Sequence, residues 1–466
     1  MKKILLFIIC IFSSEVIQAQ ITFEKTIDTL STSEIRCIKE TFDGGYVFCS
    51  MDYSAFVRKM IVTKIDSLGN IEWAKNDFGN GYPTAILQTP DSGFMVYGNT
   101  TNNQVCLIKL NNLGDTLWTK TFALANGPAN TSPFNGIASI NNSLYGLIGY
   151  SYNQNAAYFI AEIGNGIQAA TKFYNYSTSN IILNAIDKTY NNNFIIAGQI
   201  CDSSTSSDIY LIHANCYGDT IWTKRYDKVI NDLCYDVKQT SDSGFIILGA
   251  QMDTSVCGKA NIFLIKTNSN GDTLWTKVYY NSYSEGGTSI VQTNDGNYLI
   301  TGARKNTNNT QSLKLMKVDS LGNMIWDRQF IHNTDNDGIC VIQTKDDGFI
   351  VSGRTGINST NNNIGYLIKT NNLGLMNSQT GLNEYSEVKD LNIYPNPSNG
   401  RFSIREDFTN NAQFYVYNTS YQCVYSCNFS NKFQYDLNLS HLNNGLYFIV
   451  LNDGNSLFTK KLIIQK

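Results

Sequence analysis

One unit of roughly 51 residues, repeated seven times, constrains this 466-residue chain more than any other feature. One phase of the unit reads Gln-Thr-x-Asp-x-Gly-Phe followed by an apolar run and a glycine. It occurs as Gln88–Phe94, Gln239–Phe245 and Gln343–Phe349, with variants at Asp43–Tyr46 and Asp295–Tyr298 and weaker copies at Asn191–Phe194 and Asn141–Leu144. The closing glycine falls at 98, 149, 198, 249, 302 and 353, with Ser50 in the first copy. A second phase reads Leu-Ile-Lys-Thr-Asn-x-x-Gly-Asp-Thr-Leu-Trp-Thr-Lys and is clearest at Leu107–Lys120 and Leu264–Lys277. All five tryptophans (73, 118, 222, 275 and 326) stand at one point of this phase, so they mark one structural role repeated.

Each unit reads as four short strands. They are separated by Asp-Gly, Asn-Gly and Leu-Gly-Asp signals, whose residues tolerate the positive φ that hairpin turns require. No window sustains a 3.6-residue period. Four antiparallel strands per unit of this length predict an all-β fold, a seven-bladed β-propeller. The seventh unit lacks its fourth strand after Asn371. The missing strand is found at the other end of the chain: Thr22–Ile27 aligns with Leu117–Phe122, placing Phe23 in the tryptophan slot. An N-terminal strand therefore closes the last blade and leaves no open edge. The third unit, with Ala170-Thr171-Lys172-Phe173 in place of the tryptophan strand, is the most degenerate. This order puts the short uniform turns on one face. The variable loops 51–58, 99–105, 123–136, 151–157, 199–208, 250–261, 280–288, 303–312 and 354–364 fall on the other, where binding usually resides.

Residues 1–19 read as a signal peptide, with Lys2 and Lys3 ahead of the short apolar run Ile4–Ile11 and a small residue, Ala19, at the cleavage point. No stretch is long and apolar enough for a transmembrane helix. Net charge is −3, which argues against nucleic acid as a partner. Ten cysteines remain after cleavage; Cys37 with Cys49, or Cys423 with Cys427, are pairs that spacing leaves open. The propeller spans 20–376, a polar linker 377–390, and a module with alternating strands and turn signals, a small β-sandwich, 391–466.

That last module carries three ordered motifs: Tyr394-Pro395-Asn396-Pro397, the strand Leu442–Tyr447 with Gly445 and Tyr447, and the closing run from Lys460 and Lys461 through Ile464. In these it resembles the type A C-terminal sorting domains of the type IX secretion system of Bacteroidetes. Thr419-Ser420-Tyr421 departs from the glycine-containing turn usual in that family. The resemblance implies recognition by the type IX machinery, periplasmic transit, and a mature protein that is secreted or held at the outer-membrane surface. The repeat region is similar to the Asp-Gly-Gly-Tyr repeat proteins found beside such tails. Asp-Ser/Thr-aliphatic triplets at Thr29, Ser67, Thr116, Thr220, Thr273 and Ser320 resemble the O-glycosylation acceptor of Bacteroidetes; five of the six also belong to the repeat's own turn.

Chemistry is sparse. His213, His332 and His441 lie far apart, and no nucleophile elbow, P-loop or dinucleotide fingerprint is present, so no catalytic or metal residues and no cofactor are assigned. Asn333–Gly338 resembles the start of a calcium loop but has Thr344 where the twelfth-position glutamate belongs. The expected function is a surface or secreted binding protein for a glycan or partner protein on the variable-loop face. The alternative is an exported hydrolase or lyase acting on polysaccharide through carboxylates in the propeller channel.

Overall fold

The computed structural model describes residues 20–466 except 53–57, 103, 123–128, 132–135, 141–142, 152–155, 176–178, 203–206, 227–231, 253–258, 282, 307–309, 332–333, 358–361, 377–387, 406–411, 419–422, 430–433 and 453–456. Part of each variable loop named above, and the whole signal segment, lie outside these residues. Among the described residues the chain is all-β, with a single 3-10 turn at Thr29–Ser31 and no α-helix. No helix is long and apolar enough to cross a membrane. The chain divides into a unit ending at Asn377 and a second unit, Ser378–Lys466.

The first unit contains seven antiparallel sheets among the described residues, each built from consecutive strands except the last. Sheet 1 comprises Thr32–Glu40, Tyr46–Asp52, Lys59–Ile65 and Ile71–Lys75; sheet 2 comprises Gly81–Gln88, Phe94–Thr100, Val105–Leu110 and Thr116–Phe122. Sheets 4, 5 and 6 repeat the pattern from Ser179–Lys188 to Thr220–Tyr226, from Asp232–Gln239 to Thr273–Tyr279 and from Glu285–Gln292 to Met324–Phe330. Sheet 7 takes Asn336–Gln343, Phe349–Ile357 and Asn362–Thr370 from the end of the unit and Phe23–Ile27 from its beginning. Phe23 pairs with Lys369, the register in which Trp73 meets Lys64, Trp118 meets Lys109, Trp275 meets Lys266 and Trp326 meets Lys317. The tryptophan-slot alignment of Phe23 is therefore the observed pairing.

Sheet 3 departs from the expectation. Segment 123–136, read as loop, contributes the strand Ala129–Thr131, which pairs with Leu144–Ser151 alongside Ile137–Ile140. The first strand is thus split into two short pieces on one partner. The third strand, Ala156–Glu162, and the fourth, Gln168–Tyr174, place Ala161 opposite Ala170, so both the lysine and the tryptophan of the repeat are lost at one site.

Burial follows strand position. The second strand of sheet 1 is buried throughout and its third almost throughout, whereas fourth strands such as Thr220–Tyr226 alternate exposed and half-buried residues. Middle strands covered on both faces need continuous apolar runs, and an outer strand with one wet face needs alternation. This is why the repeat reads Phe-Ile-Ile in one phase and Thr-Leu-Trp-Thr-Lys in the other. Each fully buried Ile, Leu or Phe contributes about 1.5–3 kcal/mol before the entropy of ordering is counted.

In the second unit, one sheet orders Val388–Asp390, Leu457–Ile464, Gly445–Asn452, Ala412–Asn418 and Cys423–Phe429; another orders Ile393–Tyr394, Arg401–Arg405 and Gln434–Asn438. They share a core that includes Phe402, Ile404, Phe414, Val416, Ile449 and Leu462.

Candidate functional site

The repeat motifs meet at the seams between sheets. The fourth-strand aromatic of one sheet packs on the Gly-Phe/Tyr aromatic of the next: Trp73 on Phe94 at 5.8 Å between ring centroids, Trp222 on Phe245 at 5.9 Å, Trp275 on Tyr298 at 6.3 Å and Trp326 on Phe349 at 6.2 Å. Phe23 of sheet 7 packs on Tyr46 of sheet 1 at 6.5 Å in the same way. In sheet 3, where the tryptophan is Ala170, Phe159 meets Phe194 instead, at 5.4 Å. The same aromatics cover the positive-φ glycine of the next sheet's last turn. A Cβ on Gly114, Gly271, Gly322 or Gly374 would collide with Trp73, Trp222, Trp275 or Trp326, and one on Gly69 would touch Phe23.

In sheets 1, 2, 5, 6 and 7 the third-strand lysine is buried and reaches the aspartate of the turn between the first two strands. Lys109–Asp91 is 2.7 Å, Lys266–Asp242 2.8 Å, Lys317–Asp295 2.7 Å, Lys64–Asp43 2.9 Å and Lys369–Asp346 2.9 Å. Partial burial works against ionisation of Asp91. Lys109, the Thr89 hydroxyl and the Gly93 N–H outweigh it and hold the carboxyl down at about 2. Sheet 4 has Asn191 and His213 at these two positions, both neutral, and His213 stacks against Trp222 at 5.2 Å. Burial lowers the His213 pKa, keeping the ring uncharged. The recurrence of Lys in the Leu-Ile-Lys run is the sequence signal for the partner of these turn aspartates.

The terminal glutamine of the first strand also acts across a seam. Gln88 Oε1 accepts from Phe42 N, Gln239 Oε1 from Tyr190 N, Gln292 Oε1 from Ser241 N and Gln343 Oε1 from Asn294 N. Glu40 of sheet 1 takes the same role toward Lys345 of sheet 7. The first strands pack on one another in order, and that of sheet 7 packs on that of sheet 1.

On these first strands lies a charged group drawn from sheets that are not neighbours. Lys39 of sheet 1 is within electrostatic reach of Asp187 of sheet 4 and Asp236 of sheet 5, and Asp187 is within reach of Lys238. Burial works to lower the Lys39 and Lys238 pKa values, but the surrounding carboxylates, and for Lys39 also the Cys37 and Cys340 thiols, raise them. Burial raises that of Asp187. Asp236 is fully buried and accepts from Lys238 at 2.6 Å, Val237 N at 2.9 Å and Ile290 N at 3.0 Å. A carboxylate held by backbone donors on this pattern anchors a sheet.

Glu285, Arg304, Lys314 and Asp327 form a second network within sheet 6, with Lys314 at 3.1 Å from Glu285 and 2.6 Å from Asp327. Of the resemblance to a calcium loop, residues 332–333 lie outside those described, and Asn336–Gly338 run in a strand. Asp337 there pairs with Arg354 at 3.0 Å, so the half of the segment from Asn336 onward is strand, not loop. Thr116, Thr220, Thr273 and Ser320 are exposed at the last turn of their sheets, Ser67 is half-exposed at the matching turn, and Thr29 lies in the 3-10 turn.

In the second unit, two of the terminal motifs are stapled together. Asn396 Nδ2 donates to Lys461 O at 2.6 Å, and Ile463 N donates to Asn396 Oδ1 at 2.9 Å. Ser398 N donates to Ile463 O at 2.9 Å and Gln465 N to Ser398 O at 2.8 Å. Pro395 and Pro397 flank Asn396, and Tyr394 is 80% exposed beside them. Gly445 pairs with Ile464, Lys460 with Ile449 and Lys461 with Phe448; Tyr447 is buried, its hydroxyl donating to Asn443 O at 2.9 Å.

Residues 392–465 match the family described as the secretion system C-terminal sorting domain. The tail is therefore a type IX sorting domain, which marks the chain for export to the cell surface or the medium. No curated protein matches the chain. Among solved structures it is similar to a protein of unknown function from Bacteroides caccae, with 13% identity, 53% of this chain and 81% of that chain covered, and a TM-score of 0.35. It is also similar to the Pan2 WD40 domain of Neurospora crassa, with 7% identity, 76% and 97% coverage and a TM-score of 0.48. Raptor of Chaetomium thermophilum gives 8% identity, 72% and 28% coverage and a TM-score of 0.48.

Proposed function

We propose that the first unit is a seven-bladed β-propeller over residues 20–376, delivered by a signal peptide (1–19) and the sorting domain (391–466) beyond a linker (377–390) whose last residues, Val388–Asp390, join the tail's sheet instead of remaining linker, and that it serves as a secreted or surface binding module. One observation carries the ring: the aromatic-on-glycine contact between consecutive sheets recurs between the last and the first, where Phe23 meets Tyr46 and Gly69. A closed ring has no sheet edge to pair with other chains, and its rigid frame suits loops that recognise a glycan or a protein.

Two experiments test this. Removing residues 391–466 is expected to leave the protein in the periplasm; export at the wild-type level would remove the tail's sorting role. A glycan array probed with the exported protein is expected to show saturable binding that disappears when loops on the variable face are shortened. Turnover of a polysaccharide would replace the binding reading with the hydrolase or lyase one.

A further inference from the structure

In six of the seven sheets the first strand has a bulge at a matching point, with a second one nearer the start of the strand in sheet 1. In sheets 2, 4, 5 and 6 the residue after the matching bulge is Ala85, Ala185, Asp236 and Ser289; in sheets 1 and 7 it is Cys37 and Cys340. Side chains at this position reach each other across a seam: Ser289 Oγ lies 3.3 Å from Asp236 Oδ2. Cys37 and Cys340 are 1% and 4% exposed. The two thiols lie in one buried cluster and within electrostatic reach of each other; Cys37 Sγ lies 3.7 Å from Ile86 O, and Cys340 Sγ lies 4.0 Å from Ile38 O, one residue along from Cys37.

We propose that Cys37 and Cys340 form a redox latch: in the exported protein a disulfide between them locks the first sheet to the seventh. The inference rests on the closed ring and on export, since disulfides persist in oxidising compartments. The Cys37 thiolate attacks the disulfide of an envelope thiol–disulfide oxidant, whose first sulfur leaves and takes a proton. Cys340 then attacks Cys37 Sγ in the mixed disulfide, forming the Cys37–Cys340 bond and releasing the second oxidant sulfur as a thiol. Two thiols are oxidised, two protons are lost, and the oxidant's disulfide becomes a dithiol. The neighbouring Cys340 thiol holds the Cys37 thiol below its ordinary value, burial opposes it, and Lys39 assists; with both thiols buried once the sheets have packed, the exchange with the oxidant precedes that packing. Cys49, the cross-strand partner of Cys37, is pushed up to about 12 by burial. A Cys37–Cys49 bond would link strands already joined by a hairpin. A Cys37–Cys340 bond closes about 300 residues, and a cross-link stabilises more as its loop lengthens.

The full exported chain, alkylated in denaturant without reductant and digested, is expected to give one peptide pair joined through Cys37 and Cys340. Its mass is two hydrogens below that of the separate thiol peptides, and Cys49→Ser retains it. Alkylation of both Cys37 and Cys340, or a Cys37–Cys49 link, overturns the latch. As a second measurement, wild type refolded in reductant is expected to melt several degrees lower than the oxidised protein, while Cys340→Ser melts alike with and without reductant. Equal sensitivity of Cys340→Ser overturns the proposal. Reduced thiols in a protein that deletion of residues 20–30 still destabilises would reject the latch while leaving the ring reading intact.

Discussion

Each Asp–Lys pair of the repeat buries the lysine and leaves the aspartate half in water, so the two partners are not equivalent. Lys266 is 3% exposed and Asp242 accepts its proton. Asp242→Asn strands a buried ammonium and is expected to cost about 1–2 kcal/mol by denaturant unfolding. Lys266→Met keeps the volume, leaves a wetter charge unpaired and is expected to cost less. The aspartates also set an acid limit. Asp43, Asp91 and Asp295 are each depressed to about 2, so their contribution is complete above the unfolded carboxylate value of about 4 and is lost as pH falls toward 2. His213 works over a different range. Its folded pKa is lowered by burial, so its neutral ring favours folding above about pH 6.5 and opposes it increasingly below. His213→Phe, packed on the same Trp222, is expected to shrink the fall in melting temperature between about pH 7.5 and about pH 5; an unchanged fall would place the acid sensitivity elsewhere.

At the scale of the element, the Leu-Gly-Asp turn was legible as a turn, but not as the floor for a neighbour's tryptophan. Gly271 has φ +78°, and an added Cβ would stand 2.8 Å from Lys224 Cγ and 2.9 Å from Trp222. Gly296 has φ +79° with nothing within 4 Å. Alanine at Gly296 is expected to cost only the left-handed backbone penalty of about 1–2 kcal/mol, and alanine at Gly271 clearly more. Equal losses at the two sites would mean that the seam contact contributes little. The split first strand of sheet 3 belongs to this scale too. Its repeat is degenerate in sequence, yet the loss of lysine and tryptophan together, with Phe159 taking over the aromatic contact, follows from register.

At the scale of the first unit, the proposed ring depends on the N-terminal strand. Phe23–Ile27 pairs along its length with the third strand of sheet 7, Glu24 accepts from the Tyr366 hydroxyl, and Gln20 Oε1 accepts from Asn372 N at 2.8 Å. Deleting residues 20–30 is expected to lower the melting temperature far more than trimming an ordinary terminus. An unchanged midpoint would refute closure by this strand and with it the order of the blades.

The sequence by itself determined the recurring four-stranded pattern outside sheet 3, the partner of Phe23 and the nature of the tail. These reside in consecutive residues: glycines where φ must be positive, apolar runs where a strand is covered twice, and alternation where one face is wet. Only the tertiary structure decided which Lys meets which Asp, that each Trp rests on the glycine of the following sheet, that Asn396 clasps the final strand, and that Cys37 faces Cys340. Those contacts join residues separated by about 20, 50, 65 and 300 positions. No local pattern encodes such a meeting; hairpin register sets the first, and the packing of sheets within each unit sets the rest.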